Sequence, residues 1–248
     1  MWGPGSTCFL PLGTGGVTAF TDMTVWLQGG GEFSAGCRAM DKALLERADG
    51  PVVVTALAAE VGHDYRTASD NGVSHFRALG ASEVVAAPDV REERVDALAV
   101  LRTARVLVLP GGSPTRLLTA LTSSPVGRLI EELLDNGGTV MGASAGAMVL
   151  CPWVVLPDRR GPAGLGIARG LGVVADLLVV PHWSGGSSRA DWLRAIKEGV
   201  PDEVQVVGIP EESGLLVEGG QLTAVGLQPT WLVGEERELA LGETWSPA

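Results

Sequence analysis

The strongest chemical signal in the chain is a serine between small residues. Gly142-Ala143-Ser144-Ala145-Gly146 fits G-x-S-x-G, directly after the apolar run TVMGAS (139–144) and directly before the helix-compatible run AGAMVL. A nucleophilic serine in that place sits in a strained strand-to-helix turn, where side chains two residues to either side would clash. The turn lifts the serine oxygen out at the sheet's edge, and the N–H of Ala145 faces the oxyanion that forms there. The start of the helix adds partial positive charge. A tightly packed glycine turn is the plain alternative in a chain with 35 glycines. The strand before and the helix after decide for the nucleophile elbow.

A serine nucleophile needs a base. Of the three histidines, His63, His75 and His182, only His182 follows Ser144. It ends the apolar run LLVVPHW, so a strand end at the same edge of the sheet would bring it to the serine. His63 and His75 fall in an early loop and an early helix and are expected to serve at the surface or in packing. The base needs an acceptor for its other nitrogen. Asp158, Asp176, Glu211 and Glu212 are candidates. Glu211 follows the apolar run VQVVGIP and so also lies at a strand end, with Asp158 as its main rival. The second oxyanion donor is expected at Gly112, after RVLVLP, because glycine lets a backbone N–H approach a substrate closely.

These residues need a scaffold that gathers them at one edge. Strands are expected at 24–28, 51–57, 83–88, 105–110 and 139–144, and helices at 35–48, 66–79, 91–103 and 114–136, the last as one helix or two. Continuous apolar strands alternating with amphipathic helices imply a parallel sheet covered on both faces. Ligands of such sheets bind beyond the carboxyl ends of the strands. Three of those ends carry unusual residues: Gly29-Gly30-Gly31, Gly111-Gly112-Ser113 and the segment 142–147. Residues 204–234 hold further strand-like runs, and Gly219-Gly220 signals a hairpin. Residues 1–22 lack periodicity and read as a poorly ordered extension; 23–248 read as a single α/β domain.

Composition narrows the function further. The 248 residues are 46% hydrophobic and 19% charged, with 18 basic against 29 acidic side chains and a net charge of −11. There is no basic stripe for nucleic acid and no run of about 18 apolar residues for a membrane. Three scattered cysteines, Cys8, Cys37 and Cys151, suit neither a disulfide framework nor a zinc site. No metal and no cofactor is expected. No lysine or arginine precedes Arg38, so no secretory signal is expected, and the expected location is the cytoplasm.

The ordered set of strand–Gly-Gly, GxSAGA followed by Cys151-Pro152, Pro181-His182 and Gly208-Ile209-Pro210-Glu211 resembles the serine peptidase family of aspartyl dipeptidase and cyanophycinase. The resemblance covers roughly residues 24–220. It implies the class I glutamine amidotransferase-like fold, a three-layer α/β sandwich with a mostly parallel central sheet, here with a C-terminal β-hairpin region. It implies Ser144 as nucleophile, His182 as base, Glu211 as third member, and Gly112 and Ala145 as oxyanion donors.

Members favour aspartyl or isoaspartyl bonds, which need a cation in the pocket; Arg189 is the expected anchor, with Arg116 and Arg159 as alternatives. Cyanophycinases carry Gly-Gly-Asp-Gln where this chain has Gly111-Gly112-Ser113-Pro114, which argues against cyanophycin. The expected function is a serine-type peptidase acting on small peptides through an acyl-enzyme, with a homodimer left open. A catalytically silent ligand-binding or sensor protein on the same fold is the alternative.

Overall fold

The structure, a computed structural model, describes residues 23–246. The extension expected over residues 1–22 lies outside the described residues. Chain order runs β1 (Thr24–Gln28), α1 (Arg38–Arg47), β2 (Val52–Val54), α2 (His63–Ala78), β3 (Val84–Ala86), α3 (Arg94–Leu101) and β4 (Val106–Leu109). It continues with α4 (Pro114–Thr122), α5 (Val126–Asp135), β5 (Thr139–Ala143), α6 (Ala145–Leu150), β6 (Trp153–Pro157), β7 (Leu165–Arg169) and β8 (Leu177–Pro181). Then follow α7 (Ala190–Gly199), β9 (Gln205–Ile209), β10 (Ser213–Glu218), β11 (Gln221–Gly226), β12 (Thr230–Leu232), β13 (Arg237–Leu239) and β14 (Thr244–Trp245).

The main sheet has eight strands in the order β14-β11-β10-β1-β5-β4-β2-β3. The five strands from β1 to β3 in that order run parallel, and the β10–β11 hairpin joins the other side of β1 antiparallel. Gly219-Gly220 forms that hairpin's turn, as its sequence requires.

Strand side chains alternate between two faces. Leu27, Val53, Leu107, Leu109 and Val140 pack on one face with α3, α4, α5 and α6; Trp26, Val52, Val54, Val106, Val108 and Met141 pack on the other with α1 and α2. Apolar runs without polar alternation therefore become strands covered on both sides, as the sequence pattern demands.

One expectation is corrected. His182 and Glu211 do follow strand ends, but those strands are not in the main sheet. β8 and β9 pair parallel in a second sheet of four strands, ordered β13-β12-β9-β8, with Pro181 opposite Ile209. β6 and β7 form a hairpin of their own. Val179, Val207 and Ile209 face the main core, whereas Leu178 and Val180 pack with Ile196 of α7 and with Val154 and Val155 of β6. β8 is thus buried along its whole length and β9 over its last three residues, which is why their sequences look like more of the first sheet.

The two cysteines among the described residues, Cys37 and Cys151, are buried and free. Burial pushes the Cys37 thiol up to about 11 and the Cys151 thiol up to about 12. Because the thiolate is the reactive form, both should resist alkylation at pH 8 in the native protein and react once guanidinium is added. Peptide mapping after iodoacetamide reads this; modification of either residue without denaturant would contradict the packing.

Candidate active site

Ser144 stands between β5 and α6 with φ 47 and ψ −105. A left-handed φ on a residue with a side chain is uncommon, and the backbone around it has to be held. The Ser144 N–H donates to the Gln28 carbonyl at 2.9 Å. Space for the turn comes from Gly146, where an added Cβ would lie 2.2 Å from the Leu109 carbonyl oxygen, and from Gly142, where it would lie 2.5 Å from the Gly146 carbonyl carbon. Both contacts are with backbone, so neither position tolerates a larger residue without moving a strand or the helix.

The Ser144 hydroxyl lies 2.8 Å from His182 Nε2, and His182 Nδ1 lies 3.0 Å from Glu211 Oε1. The second contact is open to water: the side chains of His182 and Glu211 are 40% and 61% exposed. Its effect is therefore to orient the ring more than to stabilise charge. His182 also has a left-handed φ of 51. Its N–H donates to the Gly29 carbonyl at 2.9 Å. An added Cβ on Gly30 would fall 2.4 Å from the imidazole, so the glycine run after β1 clears the room that the ring occupies.

The other expected residues divide. Ala145 opens α6, where the first N–H has no intrahelical acceptor. Gly111 N–H donates to Glu32 Oε1 at 2.7 Å and Ser113 N–H to the Ala58 carbonyl at 3.0 Å. Gly112, between them with φ 136, makes no hydrogen bond through its N–H among the described residues.

Asp158 caps its own turn, accepting the Arg160 N–H at 2.9 Å, and Glu212 accepts the Ser34 hydroxyl at 2.6 Å. Asp176 is exposed just before β8. Arg189 Nη2 donates to the carbonyls of Pro181 and His182 at 3.1 and 2.8 Å, and its guanidinium lies 5.5 Å from the Trp192 ring. Arg116 reaches the Ala58 carbonyl and Glu60, and Arg159 is exposed in the β6–β7 turn. His63 is exposed, and His75 is buried with Nε2 2.7 Å from Asp41 Oδ2.

Two features escaped the sequence reading. Glu32 is one acidic residue among 29; only its place at the end of the Gly29–Gly31 run could have singled it out. The buried trio Gln28–Asp41–His75 joins β1, α1 and α2 beneath the serine, and nothing local in the sequence ties those positions together.

Fold and geometry define an α/β protein with a serine, a histidine and a glutamate in hydrogen-bond contact at strand ends. The profile of peptidase family S51 matches residues 28–225, and the chain belongs to that family. It is 27% identical over 156 residues to Peptidase E of Salmonella paratyphi A (strain ATCC 9150 / SARB42), a match spanning 57% of this chain and 65% of that protein. The figures are the same for Peptidase E of Salmonella typhimurium (strain LT2). The chain thus spans less than two thirds of these relatives' length.

Among solved structures, a peptidase from an acI-B1 Actinobacterium superposes with a TM-score of 0.76 at 23% identity, covering 92% of this chain and 98% of that one. A protein from Listeria monocytogenes EGD-e, solved as a candidate Peptidase E, gives 0.63 at 17% identity, covering 84% and 100%. These likenesses establish the shared fold.

The dependence of the Ser144 turn on Gly146 is testable by Gly146→Ala. The Cβ meets the Leu109 carbonyl, an overpacking that costs about 1–3 kcal/mol, or a melting point lowered by about 2–4 °C per kcal/mol in a chain of this size. An unchanged melting temperature would show that the turn is not packed as described.

Proposed function

We propose that the chain is a serine-type peptidase that hydrolyses small peptides through an acyl-enzyme. The observation that carries this reading is the unbroken hydrogen-bond chain from Ser144 through His182 to Glu211. Family membership and the named relatives support it.

In the proposed mechanism His182 Nε2 accepts the Ser144 proton as the hydroxyl oxygen attacks the peptide carbonyl carbon. Glu211 receives the Nδ1–H hydrogen bond and keeps the ring in the tautomer that leaves Nε2 free to accept. The N–H groups of Ala145 and Gly112 face the oxyanion of the tetrahedral intermediate, where one donor is worth about 10²–10³ in rate. His182 then protonates the leaving amine, and water, activated by the same imidazole, releases the acyl group. Every step uses side chains and backbone of this chain, so EDTA is expected to leave the rate unchanged; loss of activity on chelation, restored by a metal, would refute the scheme.

Cleavage at aspartyl or isoaspartyl bonds is a finer reading, supported by the resemblance alone. Its expected anchor, Arg189, has its guanidinium on main-chain carbonyls, and Arg116 is paired with Glu60. The proposal therefore stays with small peptides as the substrate class. Reactivity of Ser144 is the property that separates this reading from the silent sensor, and it can be measured directly. A fluorophosphonate probe should add to Ser144 by intact mass, with no labelling in Ser144→Ala and strongly slowed labelling in His182→Ala. Folded wild-type protein that stays unlabelled would exclude the peptidase reading and leave a binding role.

A further inference from the structure

A cavity of about 880 Å³ opens on the outer face of the second sheet, and no step of the mechanism above uses it. The strand register builds its floor. Gly208 of β9 lies opposite Trp231 of β12, and Trp231 lies opposite Glu238 of β13, so the three positions share one face. It is the face away from the main core, because the neighbouring Val207, Ile209, Leu232 and Leu239 belong to that core. Gly208 leaves the place of a side chain free, and the Trp183 indole fills it: an added Cβ would fall 2.2 Å from that ring. Two indoles thus line the cavity, with a carboxylate on the strand beside the second.

Its charge is of one sign. Glu236 and Glu238 are both exposed at its wall, and among the described residues neither forms an ion pair. Arg237, between them in sequence, is committed to Glu235 and Glu243 at 2.7 and 3.0 Å. No lysine, arginine or histidine among the described residues lines the cavity. An indole face attracts a cation through its quadrupole, and the two carboxylates add a direct Coulomb attraction. A side chain with an apolar stem and a charged head uses both parts, the stem on the indoles and the head at the carboxylates. An acidic side chain is repelled, and a purely apolar one leaves the carboxylates unused.

The walls also say which part of a peptide the cavity meets. Trp183 to Gly186 follow His182 directly, and Pro210 directly precedes Glu211. Pro229 follows Gln228, whose N–H donates to the Ser213 hydroxyl at 2.8 Å in the same turn region as Glu211. No lining residue comes from β1, β4 or β5 or from the loops after them, which carry Ser144 and the proposed oxyanion donors. The cavity therefore belongs to the half of the site that supplies the imidazole. His182 protonates the departing nitrogen, so the residue bearing that nitrogen is the part of the substrate next to this half.

We infer that this cavity binds a lysine or arginine side chain on the leaving side of the scissile bond. The inference deepens the peptidase reading above and rests on it.

The test uses dipeptide pools Xaa-Arg, Xaa-Lys, Xaa-Leu and Xaa-Glu, in which Xaa is an equal mixture of the common amino acids, so no acyl preference is assumed. Each pool is supplied as free acid and as C-terminal amide, and rates are compared within each form that is cleaved. Release of the second residue is read at low substrate, with Ser144→Ala protein as blank. Wild-type protein should release Arg or Lys at least tenfold faster than Glu and about fivefold or more faster than Leu. The double variant Glu236→Gln, Glu238→Gln should bring the advantage over Leu down to about twofold or less.

Because each ratio compares two pools on one protein, partial misfolding of the variant cancels. A Leu or Glu pool cleaved as fast as the Arg and Lys pools, an advantage that survives in the double variant, or labelled wild-type protein that cleaves no pool would overturn the inference while leaving the nucleophile intact. Failure of fluorophosphonate to label wild-type Ser144 would instead overturn the peptidase reading, and this inference with it.

Discussion

Three consecutive main-chain carbonyls at the end of β1 hold the site together. Gln28, Gly29 and Gly30 accept the N–H groups of Ser144, His182 and Glu212 in that order, each at 2.9 Å. The three donors come from different parts of the chain: the end of β5 in the main sheet, the end of β8 in the second sheet, and the turn between β9 and β10. All three have a left-handed φ, of 47, 51 and 55. Conformations of that kind cost on the order of 1–3 kcal/mol each and persist only where the surroundings over-determine them. The buried end of β1 provides that restraint, and it does so at Ser144, at His182 and at the residue directly after Glu211.

β1 can do this because it is central and well buried. It pairs with β5 on one side and β10 on the other, with Gln28 opposite Ala143 and Gly214. Beneath its last residue, the Gln28 side chain donates to Asp41, which also contacts His75, all three at 7% exposure or less. Buried polar groups are costly unless paired, and this pairing ties β1 to α1 and α2. On the other flank Arg189 accounts for the His182 carbonyl. The imidazole is thus fixed from its own backbone as well as through Glu211, whose contact with it is open to solvent.

Much of this was legible in the sequence. The strand-to-helix turn at Ser144 could be read because its requirements are local: glycines at fixed offsets, a strand before and a helix after. AGAMVL became α6 with the expected bounds, and TVWLQ became β1. What could not be read was non-local. LLVVP and QVVGI look like strands of the main sheet because they too are buried on both faces, and nothing in an apolar run says which sheet it joins. Arg189 is cationic and near His182 in sequence, yet its direction is set by the carbonyls that it meets. Glu32 had no local mark beyond the glycines before it.

The central claim is that Ser144, His182 and Glu211 act as one unit. A double-mutant cycle on His182→Ala and Glu211→Ala, read as the second-order rate of Ser144 phosphonylation, tests it most directly. Residues that act as a unit are strongly non-additive. The account predicts that the double variant reacts no more slowly than His182→Ala alone, because Glu211 works only through the imidazole. Losses that multiply in the double variant would contradict it.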